Sequence, residues 1–114
     1  MTPQRQITKN LEQLRELFSN NDARTRMLLD PLLQNACFMQ VTLQQLQDEI
    51  LLHGAVDAYQ NGNTQHGKKI AATVQAYNAM LKNYNAVICK LAKYVNPDTE
   101  LDRLEEFMIQ KDSL

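Results

Sequence analysis

Two stretches of the chain carry apolar residues at alternating intervals of three and four. The first runs Leu29, Leu32, Ala36, Met39, Leu43, Leu46, Ile50; the second runs Ile70, Val74, Tyr77, Leu81, Tyr84, Ile88, Leu91, Val95. An α-helix turns about 100° per residue, so this alternation keeps every member on one side, as in a coiled-coil seam. Joined by one short polar segment, the two seams predict a long antiparallel helical hairpin. Leu33, Val41, Leu51, Met80 and Val87 widen the stripes beyond a two-helix seam. Burying them calls either for oligomerisation or for cover from the terminal helices.

Outside the seams, Ile7, Leu11, Leu14 and Phe18 predict a short amphipathic helix, ended by the turn and cap residues Asn20, Asn21 and Asp22. A second segment starts near Ala23 and meets Asp30-Pro31. Proline has no N–H and restricts the residue before it, which leaves two readings open. Either Asp30 caps a helix with Pro31 at its first position, or one continuous helix is kinked there. The stripe running from Leu29 through Leu32 favours the kink. From Pro31 the helix is expected to reach His53 and stop at Gly54, the usual residue after a helix C-terminus.

The connection GAVDAYQNGNTQHG then changes character. Val56, Ala58 and Gln60 alternate as in an extended segment, and Asn61-Gly62 signals a two-residue turn, so a small β-hairpin or an ordered loop is expected. Gly67 and the following lysines are expected to open the second long helix. Asn96-Pro97 reads as a cap followed by a first-turn proline, with Asp98 and Glu100 placed to suit the helix dipole. Leu101, Leu104 and Met108, with Phe107 beside them, predict a short final helix. The expected fold is all-α: one helical domain, with an N-terminal arm at 1–30, a hairpin over 31–95 whose turn-bearing connection is 54–67, and an acidic C-terminal helix over 96–114.

At 114 residues the chain suits a single domain with a core of modest size. No apolar run approaches the length of a membrane span, and the N-terminal residues carry no signal-type apolar region. A cytoplasmic protein without a membrane partner is therefore expected. In that compartment Cys37 and Cys89 read as two reduced core thiols, with a disulfide across the hairpin as the geometric alternative. The net charge is −1, but its distribution is uneven. Residues 1–26 hold Arg5, Lys9, Arg15, Arg24 and Arg26 against Glu12, Glu16 and Asp22. The stretch 68–93 holds Lys68, Lys69, Lys82, Lys90 and Lys93 and no acid, whereas the C-terminal end holds Asp98, Glu100, Asp102, Glu105, Glu106 and Asp112 against Arg103 and Lys111.

No catalytic constellation is visible, and no cofactor motif. His53 and His66 flank the connection, with Asp57 as a conceivable third ligand, but their spacing matches no zinc motif. The three glycines, Gly54, Gly62 and Gly67, form no phosphate-binding loop. On a helical projection Lys68, Lys82, Lys90 and Lys93 fall within a sector of roughly 80° opposite the Ile70–Val95 stripe. That sector is either a solvated face or a basic ridge that contacts phosphates without reading bases. Arg5, Lys9, Arg15, Arg24 and Arg26 would extend such a surface. Tyr77 and Tyr84 lie in the seam, where a buried hydroxyl needs a partner. Asn78, Asn83 and Asn85, or Gln40, Gln44, Gln45 and Gln47 on the facing helix, are the available amides.

From about Pro31 to Val95 the chain resembles the short small subunits of tailed-phage terminases, which prophages of many bacteria encode. A long helix ends at Gly54, and AYQNGNTQHGKK and AYNAMLKNYNAVICKLAKYV follow. Asn61, Gly62, Gln65 and Lys68 or Lys69 match the family's loop, and Tyr77, Asn78 and Leu91 its second helix. The resemblance implies a homo-oligomer assembled through the hairpin, with no enzymatic activity of its own. It also implies binding of double-stranded viral DNA and engagement of the large, ATP-hydrolysing terminase subunit in the bacterial cytoplasm. The N-terminal 30 residues are too short for a three-helix DNA-reading module, so DNA contact would fall to the basic residues named above. The residues alone equally describe a helical protein-interaction adaptor that binds no nucleic acid.

Overall fold

The computed structural model describes residues 2–61 and 65–109, and over 56–61 and 65–70 it describes the backbone. The expected turn residue Gly62 and the tail residue Asp112 lie outside the described residues. The fold is all-α in its body: a long antiparallel hairpin of two helices with a short helix at either end and a two-stranded ribbon between the long arms.

Helix α1 spans Pro3–Leu17. Thr2 Oγ1 accepts the Arg5 N–H at 3.2 Å and Pro3 takes the start, where a missing N–H costs nothing. Its buried residues are Gln6, Asn10, Leu14 and Leu17, with Phe18 just beyond, whereas Ile7 and Leu11 are half-buried. The inward face is thus turned by about one residue from the expected apolar one. A buried chain of amides holds it there. Gln6 Nε2 donates to Asn10 Oδ1 at 2.9 Å, Asn10 Nδ2 to Gln40 Oε1 at 2.8 Å, and Gln40 Nε2 to the Phe107 carbonyl at 2.5 Å. Buried amides are tolerated because each is hydrogen-bonded.

Helix α2 spans Ala23–His53 and continues through Pro31. Its N-cap is Asp22, whose Oδ1 accepts the Thr25 N–H at 2.7 Å, and not Asp30. Proline removes one intrahelical hydrogen bond, to the Met27 carbonyl. Leu29 and Leu33, buried on either side of it, keep the helix on the core and offset that loss. The helix ends where expected. Gly54 takes φ 88°, a region that disfavours any side chain, and its N–H donates to the Ile50 carbonyl at 2.7 Å.

The connection is a ribbon. Strands β1 (Val56–Asn61) and β2 (Gln65–Ile70) pair antiparallel from Val56↔Ile70 to Asn61↔Gln65. Asn61 is therefore a ladder position. The second long helix does not open at Gly67. Residues 65–70 spend their backbone groups in the ladder, and the Ala71 N–H closes its base on the Ala55 carbonyl at 3.1 Å. Helix α3 then runs Ala72–Leu91 and tightens into a 3-10 turn, Ala92–Tyr94.

Asn96 caps the turn before the last element, and that helix opens at Leu101 and not at Pro97 as expected. The Asn96 Oδ1 accepts the Asp98 N–H at 2.9 Å, while Glu100 Oε1 accepts the Asn96 N–H at 2.8 Å, a reciprocal arrangement like a capping box. Helix α4, Leu101–Ile109, buries Leu104 and Phe107. The turn after α1 is tied to this end of the chain. Asn20 Nδ2 donates to Glu100 Oε2 and Asn21 Nδ2 to the Tyr94 carbonyl, each at 3.1 Å.

The layers are unequal in length. At 1.5 Å per residue α2 is roughly 46 Å long and α1 roughly 22 Å. Helices α1 and α4 cover only the end of the hairpin away from the ribbon. There Leu14, Phe18, Leu33, Cys37, Leu91 and Leu104 form the core. Towards the ribbon the same seams are thinner: Leu46, Ile50, Val74 and Tyr77 are half-buried, and Leu51 and Leu52 are each 78% exposed. The molecule measures 64 × 27 × 23 Å with a radius of gyration of 17.9 Å. A compact chain of this length would have about 13 Å.

Candidate interaction surfaces

The basic residues of the sequence do not gather on one face. Arg5 and Lys9 are exposed on α1, off the centre of its buried face. Arg15 is engaged elsewhere: its Nε and Nη2 donate to the two carboxylate oxygens of Asp30 at 2.8 and 2.9 Å. Gln34 Nε2 donates to the same carboxylate at 2.7 Å. The Arg15 hydrogen bond first, and Gln34 second, hold the Asp30 carboxyl below its ordinary range. Asp22 is held low mainly by the Thr25 N–H it caps. Arg24 and Arg26 are exposed in the first turn of α2, two residues apart and so on nearly opposite sides of it.

Lys82 and Lys90 are exposed on the outer face of α3, and exposed Lys93 follows in the 3-10 turn. Ala79, Ala86 and Cys89 lie exposed among them, and α3 carries no acid. Lys82 and Lys93 are separated by roughly 16 Å of helix axis. Lys68 does not continue this ridge. It stands on β2 opposite Ala58, because the ribbon takes up the residues expected to begin the helix. The acids of the C-terminal end make a second, opposite surface. Asp102, Glu105 and Glu106 are exposed on α4 together with Ile109, which is 78% exposed.

His53 is exposed at the end of α2. His66 pairs with Gln60 and Asp57 with Lys69, so the two expected ligands stand three rungs apart, about 10 Å along the ladder. Among the described residues no three His, Cys, Asp or Glu side chains form a metal-holding group. The cysteines differ from the expectation of two core thiols. Cys37 is buried, and burial pushes its thiol up to about 12, but Cys89 is exposed on α3; both are free.

Tyr84 is buried as the seam predicts, yet none of the amides considered for it reaches its hydroxyl, which has no hydrogen-bond partner among the described residues. Gln40 is committed to Asn10 and Phe107, and Gln44 Nε2 donates to Asp48 at 2.9 Å. Burial raises the Tyr84 pKa, so the group stays a neutral phenol. The amide chain through Gln40 is not legible as such in the sequence. Its one signal there is a glutamine and an asparagine at an i, i+4 interval where α1 turns inward.

Clefts line the covered end. One of about 530 Å³ lies between the end of α1 and the start of α2, with Phe18, Met27 and Pro31 as its apolar part. Another, of about 430 Å³, separates α1 from α4 beside Leu14 and Phe107. A third, about 260 Å³, lies between α2, α3 and the end of α4 beside Leu43, Leu81 and Met108. None of these brings together a nucleophile and a base. Among the described residues no helix is long and apolar enough to cross a membrane. Compared with known proteins, the chain matches no family model. No curated protein matches it, and no solved structure does.

Proposed function

We propose that the protein is a non-catalytic assembly subunit of the phage-terminase small-subunit kind. It self-associates through its hairpin, lays an acid-free lysine face against double-stranded DNA and engages a large packaging subunit. The observation that carries the assembly part is the thinning of the hairpin seams toward the ribbon. Leu46, Ile50 and Val74 are half-buried where α1 and α4 no longer reach. Two helices alone cannot cover a wide apolar stripe, and a second copy would complete the layer. The nucleic-acid part is supported by Lys82, Lys90 and Lys93, exposed on one side with no acid on α3. The terminase assignment itself rests on the resemblance of Pro31–Val95.

The dispersion of Arg5, Lys9, Arg15, Arg24 and Arg26 over several faces favours a second reading, a helical adaptor that binds protein alone. Titration of duplex DNA at about 50 and 200 mM salt separates the two. The terminase reading expects binding that weakens steeply with salt. Lys82→Glu/Lys90→Glu/Lys93→Glu should then lower the slope of log affinity against log salt by about 3, one phosphate contact per lysine. No binding at the lower salt overturns the nucleic-acid part and leaves the adaptor.

A further inference from the structure

The outer face of α3 and the outer face of α4 are complementary, and one chain cannot bring them together. On α3, Lys82, Lys90 and Lys93 surround a strip of exposed small residues, Ala79 and Ala86, over which another helix can approach closely. On α4, Asp102, Glu105 and Glu106 surround Ile109, the most exposed apolar residue of that helix, at the i, i+3, i+4, i+7 spacing of one helical face. Within one chain α4 is held against the core, and its end lines a cleft with Tyr77 and Leu81 of the inner face of α3, away from the lysines. Leu104 and Phe107 are buried in the core, and the Phe107 carbonyl accepts from Gln40 of α2. The inner face of α3 packs on α2, so its lysines point away from that core.

From this we infer that the acidic face of α4 docks on the lysine face of α3 in a second copy of the chain. The inference rests on the self-association proposed above and names its charged contact. Opposite-charge surfaces steer encounter and set register, and the small residues between the lysines give Ile109 an apolar seat. The same lysines are those assigned to DNA, so a neighbour's α4 and a duplex compete for one surface.

Sedimentation of two surface variants tests the docking: Lys82→Glu/Lys90→Glu, and Glu105→Lys/Glu106→Lys. Each alone is expected to weaken self-association at least about tenfold, because like charges now face each other. An equimolar mixture is expected to restore it, since each intact face meets its complement on the other variant. Wild-type-like association of either variant alone, or failure of the mixture to associate, overturns the inference. The nucleic-acid reading fails separately, if the wild-type chain binds no duplex while the charge exchange still works.

Discussion

Replacing Gln40 with methionine tests whether the amide chain, and not apolar matching alone, docks the terminal helices. Methionine keeps the length of the side chain and fills its place, but neither accepts from Asn10 nor donates to the Phe107 carbonyl. That carbonyl belongs to the last described turn of α4 and loses the donor that Gln40 supplies in a buried site. A stranded buried acceptor costs about 1–3 kcal/mol, and the lost bond from Asn10 adds about 0.5–1.5. Burial of the extra apolar surface returns roughly 1 kcal/mol. The expected net loss is about 1–3 kcal/mol, read from urea unfolding by linear extrapolation. Hydrogen exchange should show α4 losing protection before α3, because Gln40 supplies the hydrogen bond that joins α2 to α4. Gln44→Met is the control: its partner Asp48 is exposed, and the change should stay within about 0.5 kcal/mol. Unfolding of Gln40→Met indistinguishable from wild type would refute the reasoning.

Leu91 is fully buried and Leu46 half-buried, so Leu91→Ala should cost about 2–5 kcal/mol and Leu46→Ala clearly less in the isolated chain. Equal losses in urea unfolding would remove the distinction between the covered and thin parts of the hairpin. Pro31→Ala should stabilise by about 2 kcal/mol, since it returns an N–H to the Met27 carbonyl in a helix that is already continuous; a lower midpoint would contradict this. Thiol titration of the native protein near neutral pH should find Cys89 reactive and Cys37 protected by burial, with both reacting in denaturant. Two fast-reacting thiols in the native state would place Cys37 outside the core.

Part of the candidate surface is legible in the sequence. Lys82, Lys90 and Lys93 stand on the face that helical spacing assigns them, because an angular position on one helix follows from residue number. Lys68 leaves the set because the competition between ladder and helix over residues 65–70 is decided by a partner strand, Val56–Asn61, and not by its own neighbours. The Arg15–Asp30 pair joins residues 15 apart across a turn, and no periodicity announces it. It also explains why Asp30, which looks like a cap beside Pro31, is not one: its carboxylate is occupied by Arg15 and Gln34.

By itself the sequence determined what is local. The two seams, the stop at Gly54 and the cap at Asn96 follow from helical periodicity, from the φ that only glycine takes readily, and from side-chain to backbone hydrogen bonds a few residues apart. Tertiary structure decided how much of each seam is buried, which face α1 turns inward, and that α2 passes through Pro31. Those outcomes depend on where α1 and α4 end along the hairpin and on hydrogen bonds spanning 30 and 67 residues, from Asn10 to Gln40 and from Gln40 to Phe107. A periodic stripe specifies which side of a helix prefers cover. Only the arrangement of the other helices specifies how far that cover extends.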